Sequence, residues 1–236
     1  MPEIIVGLDP VALTRESRRS SEPDPAAAAL LAEMGGAGGI SIGLRTDRRT
    51  GQERDAKVLR AVVRSRLQIR IAATPDAVKV VAPIRPDHVL LGPERPDTIA
   101  HEGYDLVLGS GAVTEAIGSL REAGLDTLVI IEPDLEQVKA AHRLGVGGIC
   151  VTGTRLGAAR LPESEEREME AIDRCVRLAS KLGLITQVGH GLPLRCLPRL
   201  ATLPGLRFIE VGHALCARAL LVGFEQAVRD ARATMS

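Results

Sequence analysis

Apolar residues return along this chain with two alternating periods. Short runs rich in Val, Ile and Leu are separated by longer stretches whose apolar positions recur every three or four residues. The short runs predict strands at 3–8 (EIIVGL), 39–43 (GISIG), 68–72 (QIRIA), 87–91 (DHVLL), 127–131 (TLVII), 147–151 (GGICV), 184–188 (LITQV) and 207–211 (RFIEV). The longer stretches predict helices near 24–35, 53–65, 75–82, 111–123, 134–144, 163–182, 194–201 and 214–232. Local punctuation supports several of them. Asp24 before Pro25 and Thr74 before Pro75 are helix starts, with proline where its missing N–H costs nothing. Gly124 stands where a helix ends before the strand at 127–131. The polar stretch ESEEREME (163–170) reads as a solvated helix face. Residues 92–110 are long for one loop and are expected to hold a further short element.

Strands separated by helices pair in parallel through right-handed crossovers. Eight such units predict an α/β protein, a single (β/α)₈ TIM barrel occupying residues 1–236 as one domain. A doubly wound open sheet is the other architecture compatible with this pattern.

Composition changes the picture in three ways. Apolar residues make up 45% of the chain, enough for a large core, yet the only aromatic residues are Phe208, Phe224 and Tyr104. That speaks against nucleic acid as a partner, since single-stranded bases are held on aromatic platforms. Basic and acidic residues balance at 30 each, so no net charge draws a polyanion. MPEIIVGLDP does not have the pattern of a signal peptide, and no apolar run approaches the ~20 residues of a membrane span. The expectation is a cytoplasmic protein with no membrane partner. Cys150, Cys175, Cys196 and Cys216 form no C-x-x-C pair and are expected to be reduced thiols, with no metal or organic cofactor.

The candidate chemistry gathers at strand ends. VGHGL (188–192) and VGHAL (211–215) end the last two predicted strands with the same Gly-His pair. In such a barrel the loops after strands seven and eight often hold a phosphate at a helix N-terminus. Glycine lets the backbone approach an anion, and helix-start N–H groups point at it. Gly191, Gly212 and the backbone of His213 are therefore the expected phosphate cradle. His190 is a candidate acid or base, because imidazole titrates near neutrality. His88, His101 and His142 lack a comparable setting. Asp9 ends the first strand, and Glu94 follows the fourth. A basic group, Arg45, Arg48 and Arg49 around Asp47, follows the second strand, and Arg15, Arg18 and Arg19 follow the first. Arginine suits bidentate capture of phosphate or carboxylate. The chain has no P-loop, dinucleotide fingerprint, nucleophile elbow or H-E-x-x-H.

Taken together these residues resemble the pyridoxine 5′-phosphate synthase family. The carriers are LDPVALTRESR (8–18), EPDPAAAALLAEMGGAGGISIGLRTDRR (22–49), LLGPER (90–95), QVGHGL (187–192) and IEVGHALCARAL (209–220). The resemblance implies a (β/α)₈ barrel that forms homo-oligomers. It implies condensation of 3-amino-2-oxopropyl phosphate with 1-deoxy-D-xylulose 5-phosphate without a cofactor. It assigns His190 as proton donor. It makes Gly191, Gly212 and His213 phosphate-binding, and gives Asp9, Arg18 and Arg45 matches in the family's strand-end motifs.

Other positions depart from the family pattern. The N-x-D-H motif reads Gly7-Leu8-Asp9-Pro10, and the H-L-R motif reads Gly43-Leu44-Arg45, so its catalytic histidine is a glycine. Thr50 replaces a histidine, Arg70 stands for a catalytic glutamate on the third strand, and Cys150 for another on the sixth. Three readings follow. The first is an enzyme on a phosphorylated amino-ketone type of ligand with altered chemistry. The second is an authentic synthase in which Asp47, Glu94 or His101 replaces the lost groups. The third is a non-catalytic phosphate-ligand-binding protein or partner subunit.

Overall fold

The computed structural model describes residues 1–94 and 102–235. Eight strands, β1 (Glu3–Gly7), β2 (Gly39–Gly43), β3 (Arg66–Ile71), β4 (His88–Leu91), β5 (Thr127–Ile131), β6 (Gly148–Thr152), β7 (Ile185–Gly189) and β8 (Phe208–Val211), form one closed barrel. Each strand pairs in parallel with the next. The ring closes where β1 pairs with β8, Ile5 opposite Glu210, so the open sheet is excluded. Strand ends lie within a residue or two of the expected ones.

The helices are α1 (Asp9–Arg18), α2 (Pro25–Met34), α3 (Glu53–Val62), α4 (Pro75–Val81), α5 (Gly111–Glu122), α6 (Leu135–Leu144), α7 (Thr154–Ala158), α8 (Pro162–Lys181), α9 (Leu197–Ala201), α10 (His213–Val222) and α11 (Phe224–Ala233). The expected caps form: Asp24 accepts from the Ala26 N–H at 2.9 Å and Thr74 from the Ala77 N–H at 3.3 Å.

Five features depart from the sequence expectations. Helix α1 was not expected, because its buried stripe is only Val11, Ala12 and the aliphatic stem of Arg15, too short for a periodic signal. Helix α7 is a single short turn and escaped for the same reason. The one helix expected over 214–232 is two. Gly223 has φ +84° and ψ 157°, a conformation open to glycine that ends α10 and starts α11. The start of α8 is not merely solvated, since Glu165, Glu166 and Glu168 pair with Arg195, Arg199 and Arg155. The further element expected within 92–110 is absent from the described residues 102–110, and part of that segment lies outside the described residues.

The core has two compartments, as period-two alternation requires. Outward-facing strand residues such as Val6, Ile40, Ile69, Val129 and Val151 pack under the helices in one large cluster. Inside the barrel, Leu90, Leu128, Ile130 and Cys150 form a small apolar group. Much of the remaining interior is polar: Ser41, Gln68, Arg70, Gln187 and Glu210 are all buried, beside the apolar Ile5 and Phe208. Arg15, read in the sequence as part of a basic group, is structural. Its guanidinium grips the Asp55 carboxylate at 2.7 and 2.6 Å and ties α1 to the start of α3. No helix among the described residues is long and apolar enough to cross a membrane.

Candidate functional site

A cavity of about 320 Å³ opens at the C-terminal ends of the strands, where barrel active sites sit. Its lining contains Asp9, Arg70, His190, Gly191, Glu210, Gly212 and His213. Residues from opposite ends of the sequence meet there because β1 and β8 are neighbours in the ring.

The phosphate end follows from the β7 and β8 loops. His190 and Gly191 are successive left-handed residues, φ +61° and +75°, and turn the chain sharply out of β7. A histidine in this conformation is uncommon, and such residues cluster at functional sites. Gly212 is the N-cap of α10, and His213 is its first residue. The helix start therefore faces the cavity with its positive dipole end and N–H groups. The two Gly-His pairs play different parts: His190 is buried, whereas His213 is exposed at the rim.

The inner wall is a set of paired charges. Arg70 Nη2 donates to Asp9 Oδ2 at 2.7 Å, and the Gly43 N–H donates to Asp9 Oδ1 at 2.6 Å. Thr50 Oγ1 donates to the Gly43 carbonyl at 3.0 Å. Gly43 is thus held on both sides, and its missing side chain is where Arg70 lies. A Cβ at Gly43 would sit 2.5 Å from Arg70 Nη2 and 3.1 Å from Asp9 Oδ1. A side chain at position 43 and the Arg70 guanidinium would claim the same space.

Across the cavity, His190 Nε2 lies 3.2 Å from Glu210 Oε2. Burial dominates both groups. It lowers the His190 pKa to about 3, with the Arg70 charge adding to the effect. It raises Glu210 to about 7, with Asp9 adding to the rise while Arg70, Ser41 and Gln187 oppose it. At neutral pH His190 is therefore uncharged and a weak proton acceptor, while Glu210 is close to its titration midpoint. Glu210 was not singled out in the sequence. Its signal was there: an acid alone between Ile209 and Val211 in a strand, at an inward position. Cys150, also buried, faces the same two residues, and burial pushes its thiol pKa well up.

The other sequence candidates fall outside this cavity's lining. Arg45 is buried but held by Asp47 at 2.6 Å, and with Arg48 and Arg54 it lines a neighbouring cavity of about 400 Å³. Glu94 accepts from Thr46 Oγ1 at 2.7 Å, and Asp47 is engaged with Arg45 and Arg49. Arg18 is exposed at the end of α1. His88 is buried at the opposite end of the barrel, its ring 5.9 Å from that of Phe208. His101 lies outside the described residues.

The family model described as pyridoxal phosphate biosynthesis protein PdxJ matches residues 4–236. A pyridoxine 5′-phosphate synthase of Pelobacter propionicus is 39% identical over 232 residues, covering 98% of this chain and 97% of its own. One of Thermosynechococcus vestitus is 40% identical over 237 residues and the full length of both chains. Among solved structures, thiamine phosphate pyrophosphorylase from Pyrococcus furiosus superposes with a TM-score of 0.65 at 16% identity, covering 99% of this chain and 95% of the other. KGPDC from Streptococcus mutans gives 0.68 at 13%, covering 100% and 97%. These structural likenesses show the fold alone.

Proposed function

The chain belongs to the PdxJ family of pyridoxal phosphate biosynthesis proteins, and on that premise we propose that it is an enzyme acting on a phosphorylated small molecule of the amino-ketone type, by chemistry altered from the family condensation. The phosphate sits on Gly191, Gly212 and the first turn of α10. The reacting part of the ligand faces Asp9, Arg70, His190 and Glu210.

One observation carries this reading: the 2.5 Å approach between a Cβ at Gly43 and the Arg70 guanidinium. A condensation with imine formation, eliminations and ring closure needs several positioned acids and bases, each contributing ~10²–10⁴-fold. Arg70 cannot serve as one at neutral pH, and it fills the space that a side chain at position 43 would need. What the wall offers instead is a fixed cation, a carboxylate held by two donors, and one exchangeable proton on Glu210. Arg70 is placed to stabilise negative charge developing on the ligand. His190 stays neutral, and Glu210, whose pKa burial raises to about 7, is the member of the pair that exchanges a proton.

The coupling of positions 43 and 70 is itself testable. Gly43→Ala is expected to cost about 1–3 kcal/mol by overpacking in the wild-type background, and little in an Arg70→Ala background. Urea unfolding of the two single variants and the double variant gives the interaction energy. Additive losses would show that the two positions do not compete for space.

A second reading, an authentic pyridoxine 5′-phosphate synthase, is favoured by the full-length identity of 40% to a relative of that name. The separating experiment incubates the purified protein with both family substrates and follows pyridoxine 5′-phosphate by mass spectrometry, with phosphate-ester binding measured alongside. The expected result is binding without that product. Product at an enzymatic rate would replace the proposal with the second reading. Binding with no turnover of any phosphorylated amino ketone would support the non-catalytic one.

A further inference from the structure

We infer that Cys150, His190 and Glu210 form a binding site for a divalent cation of the zinc class at the floor of the cavity. The inference rests on the proposed reading of this cavity as a reaction site, and with the cation bound His190 and Glu210 act as its ligands in place of exchanging a proton. The three residues come from adjacent elements, β6, the end of β7 and β8, and their ligating atoms all lie within 4.8 Å of one another. Ligand atoms in a tetrahedral zinc site stand ~3.3–3.6 Å apart, given metal–ligand bonds of ~2.0–2.3 Å. The 3.2 Å between His190 Nε2 and Glu210 Oε2 already matches one edge of such a site.

The ligand set is one that zinc selects: a thiolate, an imidazole and a carboxylate. Three protein ligands leave a fourth position, and two of the three, His190 and Glu210, line the open cavity. The surroundings fit as well. Gly189 has no side chain, and a Cβ there would lie 2.9 Å from Glu210 Oε2 and 3.4 Å from Cys150 Sγ, so the glycine keeps the space beside the ligands clear. Gln68 Nε2 donates to Gln187 Oε1 at 2.7 Å, which turns the Gln187 amide nitrogen toward Glu210 Oε2 at 3.4 Å and toward the Cys150 thiol. Supporting donors of this kind orient metal ligands. Leu90, Leu128 and Ile130 pack around Cys150 and keep the floor dry.

Charge balance points the same way. Arg70 and Asp9 neutralise each other at 2.7 Å. Cys150 and Glu210 as anions, with neutral His190, leave two negative charges, which a divalent cation cancels. A cation here would polarise an oxygen of the bound ligand, a role that acid and base side chains alone would otherwise have to fill.

The test strips the full-length protein with a chelator and titrates it with Co²⁺ under reducing conditions. The expected result is about one cobalt per chain, with tetrahedral d–d bands and a thiolate-to-cobalt charge-transfer band. That band disappears in Cys150→Ser and persists in Cys216→Ala. Gln187→Ala, which leaves all three ligands in place, is expected to weaken cobalt binding ~10–100-fold. Absence of the band in the wild type, or its survival in Cys150→Ser, overturns the inference. If Cys150→Ser fails to fold, loss of the band in Glu210→Gln decides in its place. Phosphate-ester binding is measured on the same samples. Retained ester binding without cobalt binding removes the metal site and leaves the proposed function standing, whereas loss of both removes both.

Discussion

Gly212→Asp is expected to lower the affinity for a small phosphate monoester at least ~100-fold while leaving the protein folded. The position is the N-cap of α10, at the rim of the cavity. Steric strain is not the cause. Gly212 has φ −108°, and a Cβ there meets its nearest atom, the Gly7 carbonyl oxygen, at an ordinary 3.5 Å. The cause is charge. Two unit charges 4 Å apart repel by about 4 kcal/mol at an effective dielectric of 20, and a hundredfold loss requires only about 2.7 kcal/mol. The new carboxylate also takes the N–H groups that the phosphate needs. Aspartate is a favourable N-cap residue, so the thermal midpoint should hold or rise. Calorimetric titration with a phosphate monoester, beside a thermal melt, checks both halves. Unchanged affinity would move the phosphate to the neighbouring cavity bounded by Arg45, Arg48 and Arg54.

Arg15→Leu is expected to be among the most destabilising single changes, at about 3–5 kcal/mol, because it leaves Asp55 buried and unpaired. That is a large part of the roughly 5–15 kcal/mol that holds a domain folded. The pair is bidentate, and its side chains are only 10% and 8% exposed. Asp55 also accepts the Gln52 N–H at 2.8 Å, closing the start of α3. The double variant Arg15→Leu/Asp55→Leu should recover part of the loss, since it removes the buried Asp55 charge, although Glu16 and the Gln52 N–H each lose a partner.

The pH dependence of this pair has a definite sign. Burial acts to raise the Asp55 pKa, but the Arg15 hydrogen bonds and the Gln52 N–H outweigh it and hold it below 3.8. The wild-type contribution is therefore complete above about pH 3.8, the unfolded value, and is lost as pH falls through the folded one. In Arg15→Leu the lowering partner is gone and burial raises the Asp55 pKa instead. Stability then grows as pH falls toward the unfolded value, so acidification should narrow the gap between the two proteins. Denaturant unfolding at neutral and acid pH measures it. A gap unchanged in acid would show that Arg15 acts through packing and not through its charge.

The candidate site was partly legible before any coordinates. The repeated Gly-His pair is local chemistry: a strand end, a glycine and a helix start lie within a few residues, so VGHG and VGHA could be read where they stand. Asp9 was visible for the same reason. Arg70 was visible only as a departure, and Gly43 only as a loss. Their relation, the Arg70 guanidinium lying where a side chain at position 43 would be, exists across two strands and leaves no mark on either segment alone. Glu210 went unremarked because a lone acid in FIEV has meaning only once its neighbours inside the barrel are known. His190 was read as an acid or base from its intrinsic titration range, and only the tertiary structure shows the burial beside Arg70 that keeps it uncharged. Arg15 was read as one of a basic group, and its partner lies in a helix that follows the second strand.

Hydrophobic periodicity, acting within each segment, determined on its own the eight strands, most of the helices and their parallel order. Those features follow from backbone geometry, which repeats every two residues in a strand and every 3.6 in a helix whatever lies elsewhere. Closure of the ring, the break at Gly223, the Arg70–Asp9 wall and the meeting of Cys150, His190 and Glu210 belong to the tertiary structure. Each depends on residues far apart in the chain coming within a few ångströms, where burial and neighbouring charge reset what a side chain does.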